Sequence, residues 1–116
     1  MKLKLKIFSA FLVVLALCSS AAAAAPSVTM LSTKTCPACV QMQKVLNEID
    51  KTYKGKIKTS HIYLEKNPDI AKKYNVRYVP TLIFRDSNAK EFAIEIGYKS
   101  LSDVIEIFAQ HGVQIN

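Results

Sequence analysis

The fold of the chain is decided at residues 28–39, which have the sequence VTMLSTKTCPAC. Residues 28–31 form a short apolar run that is typical of a buried strand. From residue 37 onward apolar side chains recur at steps of three and four, which predicts an amphipathic helix ending near Gly55. Its apolar positions are Val40, Met42, Val45, Leu46 and Ile49. Cys36 and Cys39 therefore lie at the junction of a strand and a long helix.

The spacing of these two cysteines has a chemical meaning at a helix start. The first backbone N–H groups of a helix and its dipole favour a negative charge, so a thiolate at Cys36 is stabilised. Cysteine pKa values fall from about 8.5 to roughly 3.5–7.5 in such settings. Pro37 suits the first helical position, because its missing N–H has no partner inside the helix anyway. Cys39 lies one turn further and is protected, so the pair suits thiol–disulfide exchange, which needs one exposed acidic thiol and one protected thiol.

Other roles of the pair remain open. A metal-binding or metal-delivery module could use Cys36, Cys39 and His61, although structural zinc takes four ligands. A purely structural disulfide is a further alternative, but it closes too short a loop to add much stability. A redox-inactive adaptor is another. A C-x-x-C motif beside a strand–helix–strand pattern favours redox exchange. We therefore expect the two sulfurs to transfer both electrons, with no cofactor and no bound metal.

Three further segments predict strands, namely residues 57–64, 81–85 and 91–96. In the last segment Phe92, Ile94 and Ile96 alternate with Glu91, Ala93 and Glu95, which predicts a strand with one wetter face. The first two strands of the chain are joined through a helix and should be parallel. The last two are joined by a turn at residues 86–88 and should form an antiparallel hairpin.

Two more helices complete the pattern. A short helix is expected from Pro68 to about Tyr74, with Asn67 as its cap. Ser100 caps the last helix, with Asp103 in the capping-box position. The inward face of that helix is predicted to consist of Leu101, Val104, Ile105 and Phe108. The whole predicts an α/β domain with a mixed four-stranded sheet and flanking helices, in the order β-α-β, short α, β-β-α.

The N-terminus has the features of a signal peptide. Three lysines within the first six residues precede an apolar run at residues 7–17, and the small residues 21–25 satisfy an A-x-A cleavage rule. We expect residues 1–25 to be removed, which leaves residues 26–116 as an exported domain. In a bacterium this domain would lie in the periplasm, where a disulfide persists. The alternative is an N-terminal membrane anchor, because the apolar stretch approaches the ~18–20 residues that span a bilayer.

Charge and size exclude several classes of protein. The chain has 116 residues, half of them apolar, which allows one small domain and excludes a disordered chain. Its net charge of +7 falls to +4 once the three lysines of the leader are removed. The other lysines are scattered and are not interleaved with aromatic residues, so we expect no nucleic-acid partner.

These motifs resemble the thioredoxin superfamily over nearly the whole chain after residue 27. Besides the Cys36–Cys39 motif, residues 64–81 are similar to the family's segment leading into its cis-proline, here Val79-Pro80. Gly97 followed by the cap at Ser100 also matches the thioredoxin ending. The resemblance implies a thioredoxin-like fold, in which Cys36 attacks, Cys39 resolves, and a cis peptide bond at Val79-Pro80 faces them.

The resemblance also implies a substrate surface and partners. The backbone at Val79 would pair with an extended substrate segment, and Pro37, Val79 and Pro80 would form an apolar substrate face. Pro37, Ala38 and Val79 would tune the redox potential and the fit of the substrate, and His61 is a further candidate tuning residue. The expected partners are protein thiols and disulfides, with a membrane-linked redox protein as a further partner, and the domain is expected to act as a monomer.

The chain departs from thioredoxins at several positions. Cleavage after Ala25 would leave no room for the β-α unit that precedes the active-site strand of thioredoxins, so the expected domain resembles the smaller, glutaredoxin-sized version. Met30 stands where thioredoxins have a buried aspartate, and His61 stands where they have its lysine partner. His61 is thus a candidate proton acceptor for Cys39, or simply a packed histidine. A glutathione-dependent, glutaredoxin-like reductase is a further alternative, but residues 97–103 match that glutathione site poorly.

Overall fold

Residues 25–115 are described by a computed structural model, and their helices and strands follow the predicted order. The strands are β1 (Ser27–Ser32), β2 (Lys58–Tyr63), β3 (Thr81–Arg85) and β4 (Glu91–Ile96). The helices are α1 (Pro37–Thr52), α2 (Pro68–Lys73) and α3 (Leu101–Gln110), with a 3-10 turn at Leu64–Lys66. The predicted signal peptide, residues 1–25, lies outside the described residues except for Ala25, so its removal stays a prediction.

The strands form one mixed sheet in the order β2-β1-β3-β4. β1 is parallel to β2, with α1 as the crossover between them, and antiparallel to β3. β3 and β4 form the predicted antiparallel hairpin. Because β1 is central, its C-terminal end at Ser32 has β2 on one side and the start of β3 on the other. The loop that follows Ser32 delivers Cys36 to the start of α1.

The core lies between one face of the sheet and the two longer helices, α1 and α3. Its largest fully buried side chains include Met30 and Phe84 from the sheet, Met42 from α1 and Phe108 from α3. The rings of Phe84 and Phe108 meet edge to face, with their centroids 5.2 Å apart. The predicted capping box at the start of α3 is present, since Ser100 and Asp103 exchange side-chain and backbone hydrogen bonds.

The prediction that Val40 belongs to the buried face of α1 is wrong, because its side chain is 56% exposed. The buried positions on this helix are Cys39, Met42, Val45, Leu46 and Ile49. A helix turns by about 100° per residue, so Val40 points well away from the stripe that includes Cys39. It lies instead beside the cavity described below.

Asn67 occupies the predicted N-cap position of α2, but its side chain makes no capping hydrogen bond to the helix, so this part of the prediction is wrong. The preceding 3-10 turn brings the side-chain amide of Asn67 within 2.9 Å of the carbonyl oxygen of Tyr63, to which it donates a hydrogen bond. Pro68 begins α2 as expected, and the helix ends at Lys73, one residue before the predicted end.

The predicted alternation in β4 is wrong, because a β-bulge interrupts it. Arg85 pairs with Glu91, whereas the preceding residue of β3, Phe84, pairs with Ala93. Phe92 is therefore an extra residue in β4. An extra residue shifts every later side chain to the other face of the sheet. Phe92 therefore does not share a face with the isoleucines that follow it.

The bulge turns Phe92 toward the core and leaves the two isoleucines in solvent. The ring of Phe92 packs against Phe84 and Phe108, with centroid distances of 6.1 Å and 5.8 Å. Ile94 and Ile96 lie on the opposite face and are 48% and 57% exposed. The wetter face of β4 is thus the one that bears its isoleucines.

An ionic contact lies directly beside the bulge. Arg85 and Glu91, the last residue pair before the extra residue, form a salt bridge with an N–O distance of 3.1 Å. The hydroxyl of Tyr74, just after α2, donates a hydrogen bond to the same carboxylate and accepts one from Arg85. The Tyr74 hydroxyl, and next the Arg85 charge, hold the pKa of Glu91 below its usual value.

The bulge makes a testable prediction about stability. Phe92→Ala is expected to lower the free energy of unfolding by about 2–4 kcal/mol, because it removes buried ring contacts and leaves a cavity. Ile94→Ala is the matched control on the same strand and is expected to cost less than ~1 kcal/mol, since its side chain is half in solvent. Urea unfolding followed by circular dichroism measures both values. Equal losses in the two variants would contradict the assigned register.

Candidate active site

Cys36 and Cys39 lie at the start of α1 and are joined by a disulfide bond. Cys36 has extended backbone angles (φ −138°, ψ 100°) and is the N-cap residue of the helix, with Pro37 following at the first helical position. The backbone N–H of Cys39 donates a hydrogen bond of 3.1 Å to the sulfur of Cys36. The sulfur thus occupies the position that a serine or aspartate oxygen takes in an ordinary N-cap. The predicted placement of the pair at a helix start is confirmed.

The predicted contrast in exposure between the two cysteines is much weaker than expected. In the disulfide-bonded structure Cys36 is 8% exposed and Cys39 is 4% exposed, so both are buried. Closing the ring across the first turn of α1 brings both sulfurs into the packing between the helix and the sheet. Pro37 and Ala38, which lie between them, are exposed.

A cavity of about 430 Å³ lies beside the disulfide. It is bounded by the end of β1 and its following loop, by α1, and by β2. Its lining residues are Ser32, Thr33, Lys34, Cys36, Cys39, Val40, Gln43, Lys44, His61 and Tyr63. Three of these residues, Cys36, Cys39 and His61, were predicted from the sequence as site residues, and the other seven were not.

His61 reaches this cavity from β2. Its Nε2 is hydrogen-bonded to the hydroxyl of Ser32, which is completely buried at the end of β1. Its ring contacts that of Tyr63, with centroids 4.3 Å apart. Burial lowers the pKa of His61 below its usual value, because the charged imidazolium is less well solvated there. The structure therefore brings His61 and both cysteines to one cavity.

Ser32 is a site residue that the sequence analysis missed. It is the first polar residue after the apolar run of β1, and the parallel register places it opposite Tyr63, two residues beyond His61. Side chains two residues apart on one strand share a face of the sheet. A signal was therefore present in the strand register, but reading it requires the pairing of β1 with β2.

Val79 and Pro80 lie at the end of the loop that leads into β3. The peptide bond between them is cis, as the resemblance implies. Pro80 is buried just before β3, and Val79 is half-buried against the core cluster that contains both cysteines. The N–H of Gly97 donates a 2.8 Å hydrogen bond to the carbonyl oxygen of Pro80, which links this loop to the end of β4. Neither Val79 nor Pro80 lines the cavity, so the expected apolar substrate face and the cavity are separate surfaces.

The proposed metal ligands are not arranged as a metal site. Among residues 25–115 no group of three or more His, Cys, Asp or Glu side chains is placed so that it could hold a metal ion. Cys36, Cys39 and His61 share a cavity without forming such a group. Within the same residues, no helix has the length and apolar character that a membrane crossing needs.

Comparison with known proteins identifies the family. Residues 19–109 match the thioredoxin family model, and the chain belongs to that family. It is 36% identical to thioredoxin from Pseudomonas aeruginosa over 70 residues, which cover 60% of this chain and 63% of the relative. It is 38% identical to the chloroplastic M-type thioredoxin of Spinacia oleracea over 73 residues, covering 61% of this chain and 40% of that one. The chain thus spans less than two thirds of the length of these curated relatives.

Solved structures agree with the fold. A thioredoxin-like protein from Clostridium perfringens superposes with a TM-score of 0.68 at 35% identity, over 82% of this chain and 77% of that one. Thioredoxin-2 of a malaria parasite gives a TM-score of 0.69 at 26% identity, over 75% of this chain and 84% of that one. The predicted thioredoxin-like α/β fold is confirmed. These matches to thioredoxins do not favour the metal-delivery or glutaredoxin-like alternatives.

The lowered pKa of His61 predicts a pH-dependent stability. Between its native value and the value of about 6.5 in the unfolded chain, the unfolded state binds more protons, so the free energy of unfolding falls as the pH falls through that window. His61→Gln removes this contribution and should flatten the pH dependence between pH 7.5 and pH 5. Urea unfolding of the oxidised protein at several pH values measures the slope.

The matched control for this prediction is His111→Gln, since His111 lies just after α3 and not in the cavity. It should keep the slope of the parent protein. A slope that is the same in the parent and in His61→Gln would contradict the prediction.

Proposed function

We propose that the protein is a thiol–disulfide oxidoreductase that exchanges two electrons with protein thiols and disulfides through Cys36 and Cys39. The observation that supports this most directly is the sulfur of Cys36 at the N-cap of α1, bonded to Cys39 and accepting the Cys39 N–H. In the reduced protein the same N–H group and the helix dipole favour a negative charge on Cys36. Membership of the thioredoxin family supports the same activity.

The reaction follows from the positions of the two sulfurs. The Cys36 thiolate attacks one sulfur of a substrate disulfide, which forms a mixed disulfide and releases the first substrate thiolate. Cys39 then attacks the Cys36 sulfur, which restores the Cys36–Cys39 disulfide and releases the second substrate thiolate. The substrate is reduced and the cysteine pair is oxidised by two electrons. With a dithiol substrate the same steps run in reverse.

The proposed substrate surface combines exposed residues at the start of α1 with the half-buried Val79 and the buried Pro80. Pro37 and Ala38 are exposed at the start of α1, and Tyr78, next to Val79, is 67% exposed. We propose that an extended segment of a protein substrate lies against Pro37, Val79 and Pro80, where main-chain pairing with Val79 would align it. Pro37 and Ala38 would tune the redox potential. The domain acts as a monomer in this proposal.

We further propose that the protein works outside the cytoplasm, in a bacterial periplasm. The lysines, apolar run and alanines of residues 1–25 support this, because they follow the order of a signal peptide. A membrane-linked redox protein would then renew the Cys36–Cys39 pair after each turnover, since the cytoplasmic supply of reducing equivalents is separated from it. Uncleaved, the same segment would instead anchor the domain at the membrane.

The proposed chemistry predicts different defects for the two cysteines. Cys36→Ser is expected to abolish reduction of insulin by the protein in the presence of dithiothreitol. Cys39→Ser is expected to form a mixed disulfide with insulin that persists, because the resolving sulfur is missing. Insulin turbidity and non-reducing gel electrophoresis measure the two effects. If Cys36→Ser keeps the parent activity, or if the unaltered protein has none, the proposed function is wrong.

The proposed export predicts processing of the N-terminus. Expression of the full chain in a bacterium should yield a mature protein that begins near Pro26 and is released by osmotic shock. Intact-mass measurement and N-terminal sequencing identify the cleavage point. A variant in which the alanines at positions 23 and 25 are replaced by a bulky residue should remain uncleaved, because the cleavage rule needs small side chains there. Cytoplasmic retention of the unprocessed chain would contradict the proposal.

A further inference from the structure

The cavity beside the disulfide is lined by several groups that can exchange protons. Lys34 faces the cavity from the loop after β1, Lys44 from α1, and Tyr63 from β2, together with the two cysteines and His61. Imidazole both accepts and releases protons readily near neutral pH. His61 is therefore the group of this cavity suited to proton transfer.

The two sulfurs of the site differ in their need for a base. Cys36 is the N-cap residue of α1 and accepts the N–H of Cys39, so its negative charge is already compensated. Cys39 lies inside the first turn and is 4% exposed. Burial of a thiol disfavours its charged form. Yet Cys39 must lose its proton before it can attack the mixed disulfide, because the thiolate is the nucleophile.

The position of His61 is fixed by two contacts. Its Nε2 is hydrogen-bonded to the hydroxyl of Ser32, which is completely buried, and its ring packs against the ring of Tyr63. Ser32 and His61 belong to β1 and β2, the paired strands that form one wall of the cavity. Because His61 lies on one strand and its hydrogen-bond partner lies on the strand paired with it, the ring keeps its orientation toward the cavity. A residue on a loop would be held less firmly.

We propose that His61, positioned by Ser32, is the proton acceptor for Cys39 during resolution of the mixed disulfide. This inference rests on the proposed function and names a residue for one of its steps. The proton of the Cys39 thiol goes to Nδ1 of His61, since Nε2 is hydrogen-bonded to Ser32, and the Cys39 thiolate attacks the sulfur of Cys36. The bond between Cys36 and the substrate sulfur breaks, and the departing substrate thiolate then takes up a proton from the imidazolium. In the reverse reaction His61 returns the proton to Cys39.

Burial is consistent with this role for the imidazole. It lowers the pKa of His61, so the ring is neutral at pH 7 and has a free electron pair for the proton. General base catalysis by a positioned side chain contributes typically about 10²–10⁴-fold to a rate. The two lysines of the cavity, Lys34 and Lys44, have positive charges that favour the thiolate over the thiol.

The test follows the two thiolates released from Ellman's reagent, an aromatic disulfide, by the reduced protein in a stopped-flow instrument. The first release reports the attack by Cys36, and the second reports the attack by Cys39 on the mixed disulfide. Because the coloured thiolate leaves without needing a proton, the second phase isolates the deprotonation of Cys39. In the parent protein its rate should level off above a midpoint at or below about pH 6.5.

In His61→Gln the second phase should be at least about tenfold slower at pH 7, and its midpoint should move toward the value of about 8.5 of an unassisted thiol. The first phase should change little. Ser32→Ala should shift the profile in the same direction by a smaller amount. His111→Gln, whose side chain is outside the cavity, should keep both phases of the parent protein. Free imidazole should restore part of the second phase in His61→Ala, where it can enter the space left by the ring.

The outcomes separate this inference from the proposed function. If the unaltered protein releases neither thiolate, the proposed oxidoreductase activity itself is wrong. If it releases both, but with a midpoint of the second phase near pH 8.5, the inference is wrong and the activity stands. This measurement needs no variant, so it decides the question even if His61→Gln fails to fold. An unchanged second phase in a folded His61→Gln protein would also overturn the inference.

Discussion

The hydrogen bond from the N–H of Cys39 to the sulfur of Cys36 connects the fold of this protein with its chemistry. A helix needs acceptors for its first N–H groups, and here the N–H of Cys39 is shared between the backbone oxygen and the side-chain sulfur of Cys36. The sulfur takes the place of the hydroxyl or carboxylate oxygen of an ordinary N-cap side chain. The requirement that begins α1 is therefore the same one that favours a thiolate at Cys36. Pro37 reinforces both effects, because it fixes the first turn and adds no competing donor. Any change that moves the start of α1 would also remove the electrostatic support of the sulfur.

The surroundings of the disulfide divide into two sides with different characters. The exposed side consists of Pro37, Ala38 and the loop at Val79, and it is suited to contact with another protein chain. The other side is the cavity between α1 and β2, where His61 and Ser32 lie. Because the two sides are separate surfaces, the proposed substrate contact and the proposed proton transfer need not compete for the same space. Substitutions on one side are then expected to act on recognition, and those on the other side on the rate of sulfur chemistry.

Local patterns in the sequence were enough to predict most of the fold. β3 begins and ends at the predicted residues, and the capping box of Ser100 and Asp103 is present. These features depend on neighbours within a few residues of each other, so a single sequence specifies them. The position of Cys36 could be predicted for the same reason, since a strand followed by Cys-Pro fixes the helix start locally.

The features that could not be predicted depend on pairing between distant segments. The bulge at Phe92 is set by how β4 meets β3, and alternation alone gives no sign of an extra residue. Asn67 bonds to Tyr63 because of a 3-10 turn that the sequence did not indicate. Ser32 became part of the site only through the register of β1 against β2.

The bulge in β4 also bears on how the protein behaves at high concentration. β4 is one of the two outer strands of the sheet, and an outer strand offers free backbone groups to which another chain could add. Its isoleucines would strengthen such an addition if the strand were flat and regular. The extra residue at Phe92 increases the twist of the strand near its beginning, and two charged residues, Lys90 and Glu91, directly precede it. The β-bulge that brings Phe92 into the aromatic core therefore also disfavours the addition of another chain to this outer strand.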